Sequence, residues 1–137
     1  MWEASRNHYN CAEYAEIVAN LRNAFENSSM TTDVMVGFAG ETEEDFNASL
    51  DFVKSIGFAK VHIFPYSRRK GTVADKAPNQ IDPQIKEQRA KIMEQVCDET
   101  RREFLKDQVG LCESVLVERL RHGYLEGYIK ELHACSY

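Results

Sequence analysis

Two short segments carry the residues best suited to hold a small ligand, and the first is residues 36–41, VGFAGE. Gly37 and Gly40 lie three residues apart in it. Glycine lets a backbone approach a ligand closely, because no side chain stands in the way. Phe38 and Glu41 add an aromatic ring and a carboxylate. On its own this pattern more often marks a tight turn, and Glu41 more simply suits the positive end of a following helix. Beside the second segment, a ligand contact is the favoured interpretation.

The second segment, residues 64–69, reads FPYSRR and follows another apolar run. Phe64 and Tyr66 are two positions apart, so in an extended chain they point the same way. One of them is then placed to stack on a purine, or both belong to a core. Ser67 adds a hydroxyl, and the Arg69 guanidinium suits a phosphate or a carboxylate through two parallel hydrogen bonds.

Two basic clusters are the candidate contacts to nucleic acid. Arg68, Arg69 and Lys70 form the first, and Arg119, Arg121 and His122 form the second. The net charge of -5 argues against a broad electrostatic surface for nucleic acid, so any such contact must be local. On composition alone, solvated charges are the simpler interpretation of both clusters.

The cysteines, at positions 11, 97, 112 and 135, lack the close spacing that holds a four-iron cluster. A mixed zinc site can be drawn from Cys112, His122, His133 and Cys135. Its spacing fits no compact zinc knuckle, and ordinary thiols are the simpler interpretation. The sequence also contains no convincing acid–base pair or nucleophilic triad. We therefore predict neither a catalytic residue nor a metal site.

Composition is that of a globular protein of one domain or slightly more. The chain has 137 residues, of which 43% are hydrophobic and 28% charged. No apolar run approaches the roughly 18 residues that a membrane span needs. The first eight residues, MWEASRNH, do not resemble a secretory signal. These features predict a cytoplasmic protein that does not enter a membrane.

Apolar periodicity predicts the elements that position the two ligand segments. The expected order is a helix over about 11–27, a strand over 30–38, a helix over 42–56 and a strand over 58–65. Asn10 and Thr42 are the expected N-caps, and Gly57 ends the second helix. A strand, a helix and a second strand form a βαβ unit with parallel strands and a right-handed crossover. Both ligand segments then lie at one edge of the sheet.

A polar loop follows, and a long helix begins at Asp82 and Pro83 and runs to about residue 107. Residues 114–118 and 124–129 then predict an antiparallel hairpin. A lone hairpin is marginal in water, so this second module looks incomplete.

Each helix has a predicted buried face. In the first helix it comprises Tyr14, Ile17, Val18, Leu21 and Phe25. In the second it comprises Phe46, Leu50, Val53 and Ile56. In the third it comprises Ile85, Ile92, Met93, Val96, Thr100 and Phe104.

Three stretches together resemble the tRNA methylthiotransferases of the radical S-adenosylmethionine class. They are residues 31–46, TTDVMVGFAGETEEDF, residues 62–72, HIFPYSRRKGT, and residues 123–128, GYLEGY. The resemblance covers about residues 9–128. It implies an α/β fold, with residues 1–108 as the C-terminal part of a (βα) barrel with parallel strands and a long helix. Residues 109–137 would be an incomplete TRAM-like hairpin.

The resemblance also implies a reaction and its ligands. Members of the family add a methylthio group to C2 of an N6-modified adenosine beside the anticodon of tRNA, using S-adenosylmethionine and two four-iron clusters. The second stretch most closely resembles the branch that acts on N6-threonylcarbamoyladenosine. The implied cofactor contacts are Gly37, Phe38, Gly40, Glu41, Phe64, Tyr66, Ser67 and Arg69. The candidate RNA contacts are Arg68, Lys70, Arg119 and Arg121.

The chain departs from the family pattern in two respects. Ala39 stands where the family usually has proline, which costs the loop some stiffness. The three cluster cysteines of the family have no counterpart here, so the chain alone is expected to be inactive. The alternatives are an RNA-binding module without chemistry and a merely structural α/β module. Open sheet edges also predict self-association.

Overall fold

A βαβ unit forms the centre of the computed structural model, which describes residues 9–25, 28–112, 114–129 and 134–136. Strand β1 (Thr31–Val36) pairs in parallel with strand β2 (Lys60–Pro65). Helix α2 (Glu43–Ile56) connects the two strands. The predicted parallel pair with a helical connection is therefore confirmed.

Helix α1 (Cys11–Ala24) precedes this unit, and helix α3 (Pro83–Asp107) follows it. The predicted helix starts are confirmed, since the side chain of Asn10, Thr42 or Asp82 accepts a hydrogen bond from a first-turn amide of its helix. Gly57 ends α2 with a φ of 66°, the left-handed conformation that glycine adopts without strain. These local signals fix the start of each helix and the end of α2, whereas α1 ends at Ala24 and not at about residue 27 as predicted.

The hydrophobic core lies between one face of the sheet and the helices. Its buried members are Val18, Val36, Phe46, Val53, Ile56, Phe58, Ala90, Met93 and Cys97. Met93 of α3 is completely buried. The predicted buried face of α2 is confirmed, because Phe46, Val53 and Ile56 are buried and Leu50 packs against them.

The predicted faces of the other two helices need correction. In α1, Ile17, Leu21 and Phe25 are exposed, while Val18 is buried and Tyr14 packs against the core. In α3, Ile85 and Ile92 are exposed, whereas the buried residues are Lys86, Ala90, Met93, Cys97 and Thr100. Their spacing of four, three, four and three residues is helical. This buried face begins at Lys86. A pattern of apolar residues does not identify a lysine as buried.

The opposite face of the sheet is open among the described residues. Asp33, Met35, His62 and Phe64 are exposed there. Met35 lies opposite Phe64 in the strand register, and about half of each side chain is accessible. Two large apolar side chains thus stand together on a face that no described element covers.

The C-terminal residues form a separate antiparallel sheet. Its strands are β3 (Val115–Arg121), β4 (Tyr124–Ile129) and β5 (Ala134–Ser136), in the order β3-β4-β5. The predicted hairpin is confirmed. Its two-residue turn has positive φ at both His122 (50°) and Gly123 (86°), as a type I′ turn requires. The short third strand was not predicted. None of the described helices is long and apolar enough to span a membrane.

Candidate functional site

The ends of β1 and β2 meet at one edge of the sheet. The Tyr66 amide donates a hydrogen bond of 2.8 Å to the Val36 carbonyl, which extends the pairing past the end of β2. The rings of Phe38 and Tyr66 then meet edge to face, with their centroids 5.0 Å apart. The predicted juxtaposition of the two segments is confirmed. We call this region, from Val36 to Glu41 and from Tyr66 to Arg69, the strand-tip edge.

The first segment is a turn closed by its own hydrogen bonds. Gly37 has a φ of 72° and donates its amide to both carboxylate oxygens of Glu41, at 3.0 Å each. Gly40 has a φ of 84° and donates its amide to the Asn79 carbonyl at 2.9 Å. Both glycines therefore adopt a conformation that other residues adopt only with strain.

Glu41 is buried and is bound by an arginine of α3. The Arg89 guanidinium donates to the Glu41 side chain and, at 3.2 Å, to the Glu41 carbonyl. It also lies 5.3 Å above the ring of Phe46. The carboxylate thus links the first segment to α3, and its oxygens are occupied by protein donors. Arg89 was not predicted to be part of the site.

A second residue of α3, Lys86, was also not predicted here. Its side chain is about nine-tenths buried, and its ammonium donates to the Tyr66 carbonyl at 3.1 Å. The same ammonium lies 5.0 Å from the centroid of the Tyr66 ring. Its methylene groups fill the space that a side chain on Gly37 would occupy. Lys86 therefore contacts both segments of the strand-tip edge.

The second segment differs from its prediction in one respect. Phe64 is half exposed on the open face of the sheet, whereas Tyr66 is buried beneath Phe38 and Lys86. The two aromatic side chains thus differ in exposure, although Tyr66 still pairs with Val36 beyond the end of β2 at Pro65. Ser67 and Arg69 are exposed in the loop that follows.

Two of the four candidate RNA contacts form ion pairs with carboxylates. Arg68 binds the Asp75 carboxylate at 3.0 Å and so closes its loop. Arg119 binds Glu126 across the hairpin through two bonds, of 2.9 and 2.7 Å, and its hydrogen bond is the main cause that lowers the pKa of Glu126. Lys70 and Arg121 have exposed side chains. Surface pairs are weak, so they do not prevent phosphate binding.

The described residues do not fit an iron–sulfur cluster. In that part of the chain, no three or more histidine, cysteine or acidic side chains converge on one point. Burial raises the pKa of the Cys97 thiol to about 11, with smaller contributions from Asp98 and Glu94. This thiol is therefore protonated at neutral pH. His133, which belongs to the mixed zinc set drawn above, lies outside the described residues.

Known proteins match most of this chain. A tRNA-2-methylthio-N(6)-dimethylallyladenosine synthase of Pelotomaculum thermopropionicum is 36% identical over 110 residues, which are 80% of this chain and 25% of the relative. Proteins of the same name match from Caldicellulosiruptor saccharolyticus (34% identity, 88% of this chain, 26% of the relative) and Chloroflexus aurantiacus (36%, 89% and 27%). The chain thus spans about a quarter of the length of these relatives. No protein-family model matches it.

Proposed function

Because this chain belongs to the tRNA methylthiotransferase family, we propose that it forms one wall of the S-adenosylmethionine pocket of a tRNA-modifying enzyme. Residues 1–108 are then the C-terminal part of the radical S-adenosylmethionine barrel, and residues 109–137 are the start of a TRAM-like module. The observation that carries the proposal is the hydrogen-bonded contact of the β1 and β2 ends, which brings Gly37 beside Tyr66.

Parallel βα architecture supports this placement of the ligand. In barrels and open sheets of this kind, ligands bind at the C-terminal ends of the strands. At the strand-tip edge, the exposed Gly40 gives a ligand access to the backbone, and the partly exposed Phe38 offers an aromatic surface that rests against the buried Tyr66. Gly37 is buried and shapes the turn that presents them. In this proposal, Glu41 contributes by accepting the hydrogen bonds of the Gly37 amide, which close the turn.

The remaining proposed cofactor contacts surround this centre. Ser67 and Arg69 are exposed beyond the end of β2, where a hydroxyl and a guanidinium can reach polar groups of the ligand. Phe64 approaches the ligand from the open face of the sheet.

The open face and the free edge of β1 support the assignment to a barrel fragment. In a closed barrel, one face of every strand points to the interior, and each strand has two neighbours. Asp33, Met35, His62 and Phe64 occupy that face here. A groove of about 510 Å³ runs beside β1 between α1 and α2, and its lining includes Tyr14, Phe52 and Phe58. A further barrel strand and its helix would cover both surfaces.

The chemistry divides between this chain and the rest of the enzyme. S-adenosylmethionine, when it is bound at a reduced iron–sulfur cluster, supplies the radical and methyl-transfer chemistry of the family. The described residues do not fit the cluster, so none of its ligands is assigned to them. This chain holds the adenosyl part of the ligand and shields it from water. The chain alone is inactive in this proposal.

The proposed substrate is an N6-modified adenosine next to the anticodon. The segment HIFPYSRRKGT favours N6-threonylcarbamoyladenosine, while the relatives above are named for the dimethylallyl derivative. Local contacts to the tRNA are proposed for Arg68, Lys70, Arg119 and Arg121. The cytoplasm is the proposed location, because tRNA is modified there.

Anaerobic reconstitution with iron and sulfide tests the proposed inactivity. The 137-residue chain should neither develop the brown colour of a four-iron cluster nor cleave S-adenosylmethionine, since its described residues supply no cluster site. The full-length Caldicellulosiruptor saccharolyticus relative, treated in parallel, is the positive control. A stable cluster with S-adenosylmethionine cleavage by this chain alone would contradict the proposal.

The alternative function is RNA binding without chemistry, and the exposed Lys70 and Arg121 favour it. Salt-dependent retardation of an anticodon stem-loop, combined with no binding of any adenosyl ligand, would support this alternative. If the stem-loop is not retarded even at low salt, the alternative fails.

We also propose that the isolated chain self-associates. Met35 and Phe64 are adjacent and half exposed on the open face, and β1 has an edge that β2 does not cover. Exposed apolar surface beside an unpaired strand edge favours association between chains.

A further inference from the structure

We propose that Lys86 and Tyr66 form a subsite for an oxyanion, a carboxylate or a phosphate, at the strand-tip edge. The inference deepens the proposed function by naming a charged group of the ligand. It depends on that function only for the identity of the molecule that carries the anion.

The first observation is a buried positive charge for which the described residues provide no counter-ion. The Lys86 ammonium has three donors, and its one hydrogen-bond acceptor among the described residues is the Tyr66 carbonyl. Glu41, the buried carboxylate of the same edge, is already bound by Arg89 and by the Gly37 amide. Lys86, Arg89 and Glu41 together therefore carry one excess positive charge. A buried charge is normally paired, because its removal from water is unfavourable.

The position of Lys86 in α3 makes this charge more unusual. It lies in the second turn of the helix, four positions after the N-cap Asp82. The N-terminal end of a helix is positive, and because this field weakens beyond the first turn, a lysine here is only slightly unfavourable. The stem of Lys86 nevertheless packs against Gly37, which has no side chain to displace it. Packing thus fixes the ammonium at the strand-tip edge.

The second observation is the Tyr66 hydroxyl. Tyr66 is more than nine-tenths buried, and its hydroxyl has no hydrogen-bond partner among the described residues. A buried hydroxyl without a partner is unfavourable, and most such groups in proteins are satisfied. The Lys86 ammonium lies 5.0 Å from the centroid of the same ring. An oxyanion at this point would supply acceptors for both groups.

Amide chemical-shift mapping with inorganic phosphate, and separately with acetate, tests this subsite on the full chain. We expect saturable shifts at Gly37, Tyr66 and Ser67. Lys86→Met keeps most of the packing but removes the charge, and it should weaken anion binding about tenfold or more. Lys91→Met is the matched control, because Lys91 is an exposed lysine of the same helix, paired with Glu87. It should leave the shifts unchanged.

A second variant keeps the test decisive if Lys86→Met fails to fold. Tyr66→Phe keeps the ring and removes only the hydroxyl, and it should weaken anion binding severalfold. If the saturation curves show tighter binding of acetate, the subsite takes a carboxylate, and if they show tighter binding of phosphate, it takes a phosphoryl group. The absence of saturable shifts at these amides, or equal affinity in the wild type and in both variants, overturns the subsite. A titration with adenosine tests the proposed nucleoside pocket separately. If adenosine causes saturable shifts and neither phosphate nor acetate does, the anion subsite is wrong and the proposed function is unaffected.

Discussion

Replacing Arg89 by methionine is expected to lower the free energy of unfolding by about 3–5 kcal/mol, because it leaves a buried carboxylate without its counter-ion. The Glu41 side chain is only 2% exposed, and Arg89 is its one cationic partner among the described residues. Of the hydrogen-bond donors in that part of the chain, the Gly37 amide would remain bound to this carboxylate. Methionine can still pack against Phe46, so the loss should reflect the charge and not the packing. Urea unfolding followed by circular dichroism measures it.

Glu41→Gln should lower the free energy of unfolding less than Arg89→Met does. It leaves Arg89 without its carboxylate partner, and the Arg89 side chain is more accessible to water than that of Glu41. The Arg89 side chain is 12% exposed, and glutamine still offers an oxygen to the Gly37 amide. The double variant should lose less stability than the sum of the two single variants, by about 1 kcal/mol or more. The exposed pair of Glu87 and Lys91 is the control, and its disruption should leave stability nearly unchanged. Additive losses at Glu41 and Arg89 would contradict this account.

Gly37→Ala is expected to cost about 2–4 kcal/mol, because it adds a collision to backbone strain. Gly37 has a φ of 72°, which alanine adopts only with strain. In addition, a Cβ atom there would collide with Cγ of Lys86. Lys86 would have to move, and its hydrogen bond to the Tyr66 carbonyl would be lost. Unfolding in urea again gives the size of the effect.

Gly40→Ala distinguishes the effect of backbone strain from the effect of the collision with Lys86. Gly40 has a φ of 84°, but a Cβ atom there meets nothing within 4 Å. This variant should therefore lose only about 1–2 kcal/mol, the cost of the strain. In a Lys86→Ala background, Gly37→Ala should cost less than it does in the natural background, because only the Cβ atom of residue 86, at 3.2 Å, remains beside the added Cβ. If Gly37→Ala and Gly40→Ala are equally destabilising in the natural background, the contact with Lys86 is unimportant.

Local signals in the sequence predicted the order of the main elements and the start of each helix. Asn10, Thr42 and Asp82 form their caps through side-chain atoms two or three residues from the amides they bind. Such contacts depend on nearby sequence and little else. The meeting of the strand ends was predictable as well, because parallel strands joined by one helix end at the same edge.

The buried polar residues of α3 were not predictable in the same way. Lys86 and Arg89 contact residues 20 and 48 positions earlier in the chain. Their type indicates exposure, since lysine and arginine are rarely buried without a partner. The available signal was indirect: Ala90, Met93 and Cys97 extend a helical stripe backwards to position 86. The third strand, β5, is three residues long and gave no periodic signal.

Chemical-shift mapping with S-adenosylhomocysteine tests most directly whether the strand-tip edge is one wall of a nucleoside pocket. Saturable shifts should centre on the amides of Gly37, Phe38 and Tyr66, while the hairpin of β3 and β4 stays unchanged. A saturable response confined to the hairpin, or none at these three amides, would contradict the account.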